Sequence, residues 1–386
     1  MARALAWRTA FAAAALVVLW RAIAVNVVHF DNTGRPHIPE ASAGDPAASA
    51  AMIAVLDSNP GEVVALLVLA NDRERAGDDA AAARAYEAAT RLAPMDREVM
   101  QHSAGFFLRS GRTREGVAQL GRLAEHYGQH DKVFPVFMRL MAGGDPGWNA
   151  IVARNPAWLG SFVQVACRQQ VDAALLAPLL QVRAASGRVT AAEVDCVTER
   201  LRAAGHWEAA YLAWLNTLPR ERLADVGHVF NGSFEQAPAN VGFDWKFPAR
   251  PTGHQVEFTG GTSGAGRRAL RVSYNGRRQA GPAIHQFLVV PPGRYELTGM
   301  ARPQGLNSVR GVHWVLRCAG AEAGAPLAAS ERFLGSSEWR RFSVEARVPA
   351  NCPGQVLQLE PVGLSEGTVF VTGAAWFDDL RLARLN

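Results

Sequence analysis

The sequence predicts a multidomain α plus β protein with an N-terminal transmembrane helix, an α-helical solenoid and a C-terminal β-sandwich. Three observations carry this prediction. A twelve-residue apolar run lies near the N-terminus, apolar side chains recur at three- and four-residue spacing from Pro46 to about Leu218, and after Asn231 they recur at every second residue. The predicted domains are therefore residues 1–30, 40–225 and 226–386.

The composition is that of a globular protein, since 49% of the 386 residues are hydrophobic. The formal net charge is +5, but the basic residues are almost all arginine and are scattered along the chain, with lysine only at Lys132 and Lys246. Nucleic-acid binding needs a clustered basic surface. We therefore expect no nucleic-acid partner.

The N-terminus begins with the basic segment "MARALAWR", followed by the apolar run "TAFAAAALVVLW" and, after Arg21, by "AIAVNVV". One interpretation is a signal peptide that is cleaved after Ala22–Ala24. The other, which we favour, is a membrane anchor over residues 9–28, a segment long enough to cross the hydrocarbon layer. Positive charge before the anchor predicts a single-pass inner-membrane protein with the bulk of the chain in the periplasm.

The helical half contains a repeat of 34 residues. Shifting "VVALLVLANDRERAGDDAAAARAYEAATRLAP" by this period moves Leu66 onto Met100 and Gly77 onto Gly111. The segment resembles a tetratricopeptide repeat, and this resemblance implies an irregular solenoid of eight to ten helices whose concave surface binds a protein partner. The alternative is a spacer without a ligand.

The C-terminal half reads as eight to ten short strands of alternating polarity, separated by turn signals such as "YNGRR", "VPPGR" and "NCPG". Strands at eight- to twelve-residue spacing predict a β-sandwich of about 155 residues. The segments "NGSFE", "GTSGAGRRALRV", "VVPPGRYELTGMAR", "SSEWRRFSVEARVP" and "WFDDLRL" occur in this order. They resemble the jelly-roll, galactose-binding-like carbohydrate-binding modules of families four, nine and twenty-two.

This resemblance implies a polysaccharide or glycan ligand on the sandwich. Sugars are recognised by aromatic planes and by polar side chains, so the candidate ligand-binding residues are Trp245, His313, Trp314 and Arg317. Alternation along "VHWVLRC" places Trp314 on the same face as Val312 and Leu316. Trp314 is therefore also a candidate for the core.

The same resemblance implies a structural calcium ion between the two ends of the sandwich, with Glu235 and Asp378 as carboxylate ligands. The alternative is that these two side chains pair with arginine or cap turns. The four cysteines include no C-x-x-C pair, which disfavours zinc. We expect a disulfide between Cys318 and Cys352, which flank strands of one sandwich, and we leave the pairing of Cys167 with Cys196 open.

The sequence contains no G-x-S-x-G or H-E-x-x-H motif and its ten histidines are dispersed. We therefore expect no catalytic activity. As a whole, the chain resembles the tetratricopeptide-repeat proteins that accompany bacterial exopolysaccharide or O-antigen synthesis and export. The resemblance implies a membrane-tethered adaptor between a glycan and a protein. The alternative is a purely structural scaffold whose sandwich binds no sugar.

Overall fold

The computed structural model describes residues 46–169, 171–248, 251–260, 263, 266–278, 281–320, 325–362 and 370–385. The chain divides into two compact units between Trp158 and Leu159. In the described ranges, no helix combines the length and the apolarity needed to cross a membrane. The predicted anchor over residues 9–28 lies outside the described residues.

The first unit is helical over its described residues, 46–158. Its helices are α1 Pro46–Ser58, α2 Val63–Arg75, α3 Asp79–Leu92, α4 Arg97–Arg109, α5 Thr113–Tyr127, α6 His130–Ala142 and α7 Pro146–Val152. The helices α2 and α4 begin 34 residues apart, as do α3 and α5, so the helix pairs follow the period of the sequence. Gly77 and Gly111 end the first helix of each pair with φ angles of 77° and 76°, a conformation that glycine adopts without strain.

Small residues allow the paired helices to approach closely. Ala70 and Ala82 have no exposed surface, and the ring of Tyr86 stacks 4.9 Å from that of Phe106 on the next pair. In the second pair, a Cβ at Gly116 would come within 2.7 Å of the Leu108 side chain. This contact accounts for glycine at a position where the repeat otherwise has alanine.

The second unit begins with four helices, α8 Leu159–Arg168, α9 Ala173–Ala185, α10 Ala191–Ala203 and α11 Trp207–Leu215, followed by a 3-10 helix over Arg220–Asp225. Thr190 and Glu193 form a complete capping box at the start of α10. A disulfide between Cys167 and Cys196 joins α8 to α10.

Nine strands follow in the described part of the second unit. They are β1 His254–Thr259, β2 Ala269–Arg278, β3 Ile284–Leu288, β4 Gly293–Asn307, β5 Val312–Cys318, β6 Ala328–Ala329, β7 Arg340–Val348, β8 Gln355–Pro361 and β9 Phe370–Arg384. They form a five-stranded sheet in the order β1-β2-β9-β4-β7 and a four-stranded sheet in the order β3-β8-β5-β6. All pairings are antiparallel.

The inward faces of the two sheets enclose one hydrophobic core. Its centre is aromatic: the Trp245 ring lies 5.7 Å from that of Trp314, and the Trp314 ring lies 5.4 Å from that of Phe377. A disulfide between Cys318 and Cys352 joins the end of β5 to the turn before β8, with the Cα atoms 5.5 Å apart. The architecture is thus a β-sandwich with one buried and one outward face on each sheet.

Candidate functional site

The outward face of the four-stranded sheet carries the polar side chains that alternate with its core residues. The strand register aligns Lys246, His285, Gln358 and Val315 in one row. The neighbouring rows pair Glu360 with His313, and Phe287 with Val356 and Arg317. We call this set the four-stranded face; its members are Lys246, His285, Phe287, His313, Val315, Arg317, Val356, Gln358 and Glu360.

Glu360 is the centre of a hydrogen-bond network on this face. The Arg317 guanidinium donates to Oε1 of Glu360 at 2.7 Å, and Nε2 of His313 lies 3.6 Å from the same oxygen. The amide of Gln358 donates to the second carboxylate oxygen. The exposed fractions of the Arg317, Glu360 and His313 side chains are only 23%, 20% and 15%. The network is therefore half-buried and held in one geometry.

The protonation of Glu360 follows from these contacts. Burial raises the pKa of its carboxyl group, but hydrogen bonds from His313, Arg317 and Gln358 and the positive charge of Arg317 outweigh burial and leave the pKa lowered. Glu360 is consequently an anion at neutral pH. It presents acceptor oxygens next to the donors of Arg317.

The β3 side of the face is more deeply covered. Nζ of Lys246 lies 2.6 Å from the Asp195 carboxylate of α10. Burial, together with the nearby charges of Lys246 and Arg202, lowers the pKa of His285 to about 4. His285 is therefore neutral near pH 7 and carries no positive charge on this face.

The helices α10 and α11 cover this side. The Arg202 guanidinium lies 3.8 Å from the centre of the Phe287 ring, and the Trp207 ring lies 6.0 Å from it. Gly354 permits the close approach of the Trp207 ring to the sandwich, because a Cβ at this position would come within 2.1 Å of that ring. The four-stranded face is consequently bounded by helices along β3.

The four residues predicted to bind a glycan fall into two groups. His313 and Arg317 lie together on the four-stranded face. Trp245 and Trp314 have no exposed surface and belong to the core. A ring that is packed on both sides cannot stack on a sugar, so Trp245 and Trp314 do not belong to the site, and the core position that alternation offered for Trp314 is the observed one.

Sequence reasoning missed most of the face. Gln358 and Glu360 alternate with Leu357 and Leu359 in "QVLQLEPV", so the pattern alone could have placed them on an outward face. Trp207 gives no such signal. It reaches the face from α11, through a contact with Gly354 that is distant in sequence.

The two predicted calcium ligands hold the same loop between β1 and β2. Glu235 Oε1 accepts hydrogen bonds from the backbone N–H groups of Arg267 and Arg268 at 2.8 and 3.3 Å. Asp378 Oδ2 accepts from the N–H and the hydroxyl of Ser263, each at 3.0 Å. No cluster of three or more His, Cys, Asp or Glu side chains with metal-binding geometry occurs in the described ranges.

The surroundings of Asp378 and Glu235 determine how well a calcium ion would fit between them. Burial raises the pKa of Asp378 against the hydrogen bonds from Ser263, and the neighbouring Asp379 raises it further. A cation would relieve this repulsion. The two carboxylates and the Ser263 hydroxyl are oxygen ligands of the kind that calcium prefers, although calcium needs six to eight. The residues therefore fit part of a calcium shell.

Comparisons with known proteins concern the sandwich. No protein-family model and no curated protein matches the chain. Among solved structures, the sandwich resembles carbohydrate-binding modules. A structure of CBM4 is 14% identical and covers 41% of this chain and 99% of its own, with a TM-score of 0.30.

Two further solved structures are similar to the same extent. The CBM22-1 xylan-binding domain from Paenibacillus barcinonensis Xyn10C is 15% identical and covers 40% of this chain and 94% of its own, with a TM-score of 0.27. TmCBM61, solved with β-1,4-galactotriose, is 16% identical and covers 42% of this chain and 99% of its own, with a TM-score of 0.26. These values are too low to transfer a ligand, so the ligand must be argued from the residues of this chain.

Proposed function

We propose that the β-sandwich binds a glycan on the four-stranded face, with Arg317, His313, Gln358 and Glu360 as the residues that contact sugar hydroxyls. The hydrogen-bond network around Glu360 is the observation that carries this proposal. It offers the Arg317 donors beside the acceptor oxygens of Glu360, and adjacent sugar hydroxyls need such a pairing because each both donates and accepts.

The state of the network also supports binding. A half-buried site loses little side-chain entropy when a ligand arrives, because Arg317 and Glu360 already hold each other at 2.7 Å. The Trp207 ring at the β3 border is half-buried. It therefore offers an aromatic surface on which a sugar ring could stack. Because the helices α10 and α11 close that border, the site suits a chain end or a short oligosaccharide.

We infer the role of the whole chain from the sequence resemblance and the repeat. The protein would be a non-catalytic, membrane-tethered periplasmic adaptor. Its helix pairs α2–α3 and α4–α5 would act as tetratricopeptide-like repeats that bind a protein partner, and its sandwich would bind a polysaccharide during exopolysaccharide or O-antigen assembly or export. Fractionation with protease accessibility tests the anchor, because release of a soluble protein that begins near residue 25 would contradict it.

We also propose a structural calcium ion held by Glu235 and Asp378, with the Ser263 hydroxyl as a further oxygen ligand. Both carboxylates bind the backbone of the loop between β1 and β2. An ion at this place would fasten that loop to β9 and would leave the four-stranded face unchanged.

The experiment for the glycan proposal is a glycan array probed with the full chain, followed by calorimetry on the best ligand. Arg317→Ala should weaken binding about tenfold or more, because it removes charge-assisted hydrogen bonds. The matched control is Arg294→Ala, which removes an arginine of an exposed ion pair with Glu345 on the other sheet. Glu360→Gln keeps the shape of the network and should also weaken binding.

The alternative is a structural scaffold whose sandwich binds no sugar. The deep cover of β3 by Arg202 and Lys246 favours it, because this part of the face serves packing against α10 and α11. A folded full chain that retains no glycan on the array, or a ligand whose affinity is unchanged by both Arg317→Ala and Glu360→Gln, would decide for the scaffold.

A further inference from the structure

The outward face of the five-stranded sheet carries an arginine, a tryptophan and a second arginine side by side. The strand register places Arg271 of β2 opposite Trp376 of β9, and Trp376 opposite Arg302 of β4. The guanidinium carbons of Arg271 and Arg302 lie 5.5 and 5.6 Å from the centre of the Trp376 ring. Both distances are within the range of a cation–π contact.

The two cations differ in their partners. Arg271 also binds the Glu257 carboxylate at 2.6 Å and is 35% exposed. Within the described ranges, no carboxylate lies at ion-pair distance from Arg302, and its guanidinium is held by the tryptophan ring. The cluster therefore keeps an excess of positive charge, oriented by Trp376 and open to an anion.

Donors without acceptors lie in the same cluster. Nε of Arg271, Nε1 of Trp376 and the hydroxyl of Ser273 are buried, and within the described part of the chain they have no hydrogen-bond partner. Ser273 lies two residues from Arg271 on the same strand face. Buried hydrogen-bonding groups without partners are rare in proteins and call for an explanation, which a water molecule or an ion at the cluster would supply.

We propose that Arg271, Trp376 and Arg302 form a second binding site, for a saccharide that carries an anionic group, either a carboxylate or a sulfate ester. The guanidinium of Arg302 would bind the anion, since its planar donors match an oxyanion. The neighbouring Gln304, which is exposed, would bind hydroxyls. This site lies on the other sheet from the four-stranded face and does not depend on the function proposed for that face.

The test is calorimetry on the full chain with three probes of equal length, an oligogalacturonate, a sulfated oligogalactose and a neutral oligogalactose. The first two carry the two anions and the third carries none. We expect one or both anionic probes to bind, with affinity that falls as salt is raised. Arg302→Ala should weaken that binding about tenfold or more.

Two controls make the result specific. Arg294→Ala removes the same charge from the same strand, eight residues and therefore roughly 26 Å away, and should leave the affinity unchanged. Trp376→Phe keeps an aromatic ring, and the difference between its fluorescence and that of the unmodified chain isolates the Trp376 signal, which the anionic probe should alter. Circular dichroism of each variant establishes that it is folded.

Several outcomes would overturn the inference. Equal losses in Arg302→Ala and Arg294→Ala would show an effect of net charge alone. An anionic probe lost on Arg317→Ala but retained on Arg302→Ala would bind the four-stranded face, so the proposed function would stand while this inference fails. The opposite outcome is also possible. If the chain binds an anionic probe through Arg302 but binds no neutral glycan, this inference stands and the proposed function fails.

Discussion

At the scale of the residue, Gly354 decides how closely a helix approaches the sandwich. The Trp207 ring occupies the space that a side chain at position 354 would need, and the nearest ring atom would lie 2.1 Å from a Cβ. A contact below 3 Å against a ring that also packs on Phe287 cannot be relieved by a rotation alone. The glycine is therefore required by packing.

We predict that Gly354→Ala lowers the free energy of unfolding by about 1 to 3 kcal/mol, as is usual for overpacking. In a Trp207→Ala background the same substitution should cost little, because the obstructing ring is gone. Urea unfolding of the four chains of this double-mutant cycle measures the coupling. Gly260→Ala is the control, since its nearest neighbour would lie 3.8 Å away. Equal costs in both backgrounds would contradict the prediction.

His285 is a second residue whose surroundings fix its behaviour. Its pKa in the folded chain is about 4, against about 6.5 in an unfolded chain. Between these pH values the unfolded chain binds more protons, so the free energy of unfolding rises with pH. Stability from this group is therefore complete above about pH 6.5 and is lost as the pH falls toward 4.

We predict that the second unit loses on the order of 2 to 4 kcal/mol of stability between pH 7 and pH 4 through His285. His285→Gln should flatten the pH dependence in this window, which chemical unfolding at several pH values will measure. His206→Gln, at an exposed histidine of the same unit, should leave the slope as it is. A slope that His285→Gln does not change would assign the loss to other groups.

At the scale of the element, the sequence patterns predicted eight of the nine described strands. Each of the eight has at least five residues, which is long enough to show a period; in β3, for example, Ile284, Gln286 and Leu288 are buried and the other two residues are partly exposed. The missing strand, β6, has two residues, Ala328 and Ala329, at the edge of a sheet. Two residues cannot show a period, so no pattern could reveal this strand.

The candidate site was harder to predict than the strands. Alternation separates His313 and Arg317 from the core side chains of β5, but it cannot tell that Glu360 lies opposite His313 and within reach of Arg317, because that depends on β8 pairing with β5. Trp245 illustrates the opposite failure. Its Nε1 donates a hydrogen bond to the Asn231 carbonyl at 3.1 Å. Because this bond satisfies the indole N–H, the ring can be buried in the core.

The two ends of the sandwich give a prediction about calcium. If Glu235 and Asp378 hold the ion, calcium stabilises the folded state alone, by about 2.7 kcal/mol at one hundred times the dissociation constant. We expect the melting temperature to rise by several degrees in millimolar calcium. Asp378→Ala should abolish the rise, and magnesium should replace calcium poorly because it demands a tighter octahedral shell.

Asp379→Ala is the matched control for calcium, since this neighbouring carboxylate pairs with Arg381 and makes no hydrogen bond with the described residues of the loop between β1 and β2. It should retain most of the calcium effect. Elemental analysis of protein purified without chelator completes the test. A metal-free protein whose melting temperature does not respond to calcium would leave Glu235 and Asp378 as acceptors for the backbone of the loop.

At the scale of the whole molecule, the change from helix to strand and the division into compact units fall at different places. Alternation begins near Asn231, a few residues after the domain boundary that the sequence predicts between residues 225 and 226. The compact units divide between Trp158 and Leu159. The reason is visible in the contacts of α10 and α11, which place Asp195, Arg202 and Trp207 against the sandwich. A local period reports secondary structure and cannot report which unit a helix packs on.

This division predicts how fragments of the chain will behave. Residues 159–386 keep α10 and α11 and should unfold in one cooperative transition. Residues 226–386 lose Asp195, Arg202 and Trp207, so they leave Lys246 without its carboxylate and Phe287 without its cover. We expect the shorter fragment to melt at a lower temperature and to bind a dye specific for exposed apolar surface.

Two substitutions in the longer fragment separate this effect from mere truncation. Arg202→Ala and Asp195→Ala should each reproduce part of the loss in melting temperature, because each removes contacts between α10 and the sandwich. Arg188→Ala removes a positive charge at an exposed residue of the loop before α10 and should cost less. Equal free energies of unfolding for the two fragments would show that the sandwich is stable by itself and that α10 and α11 only rest on it.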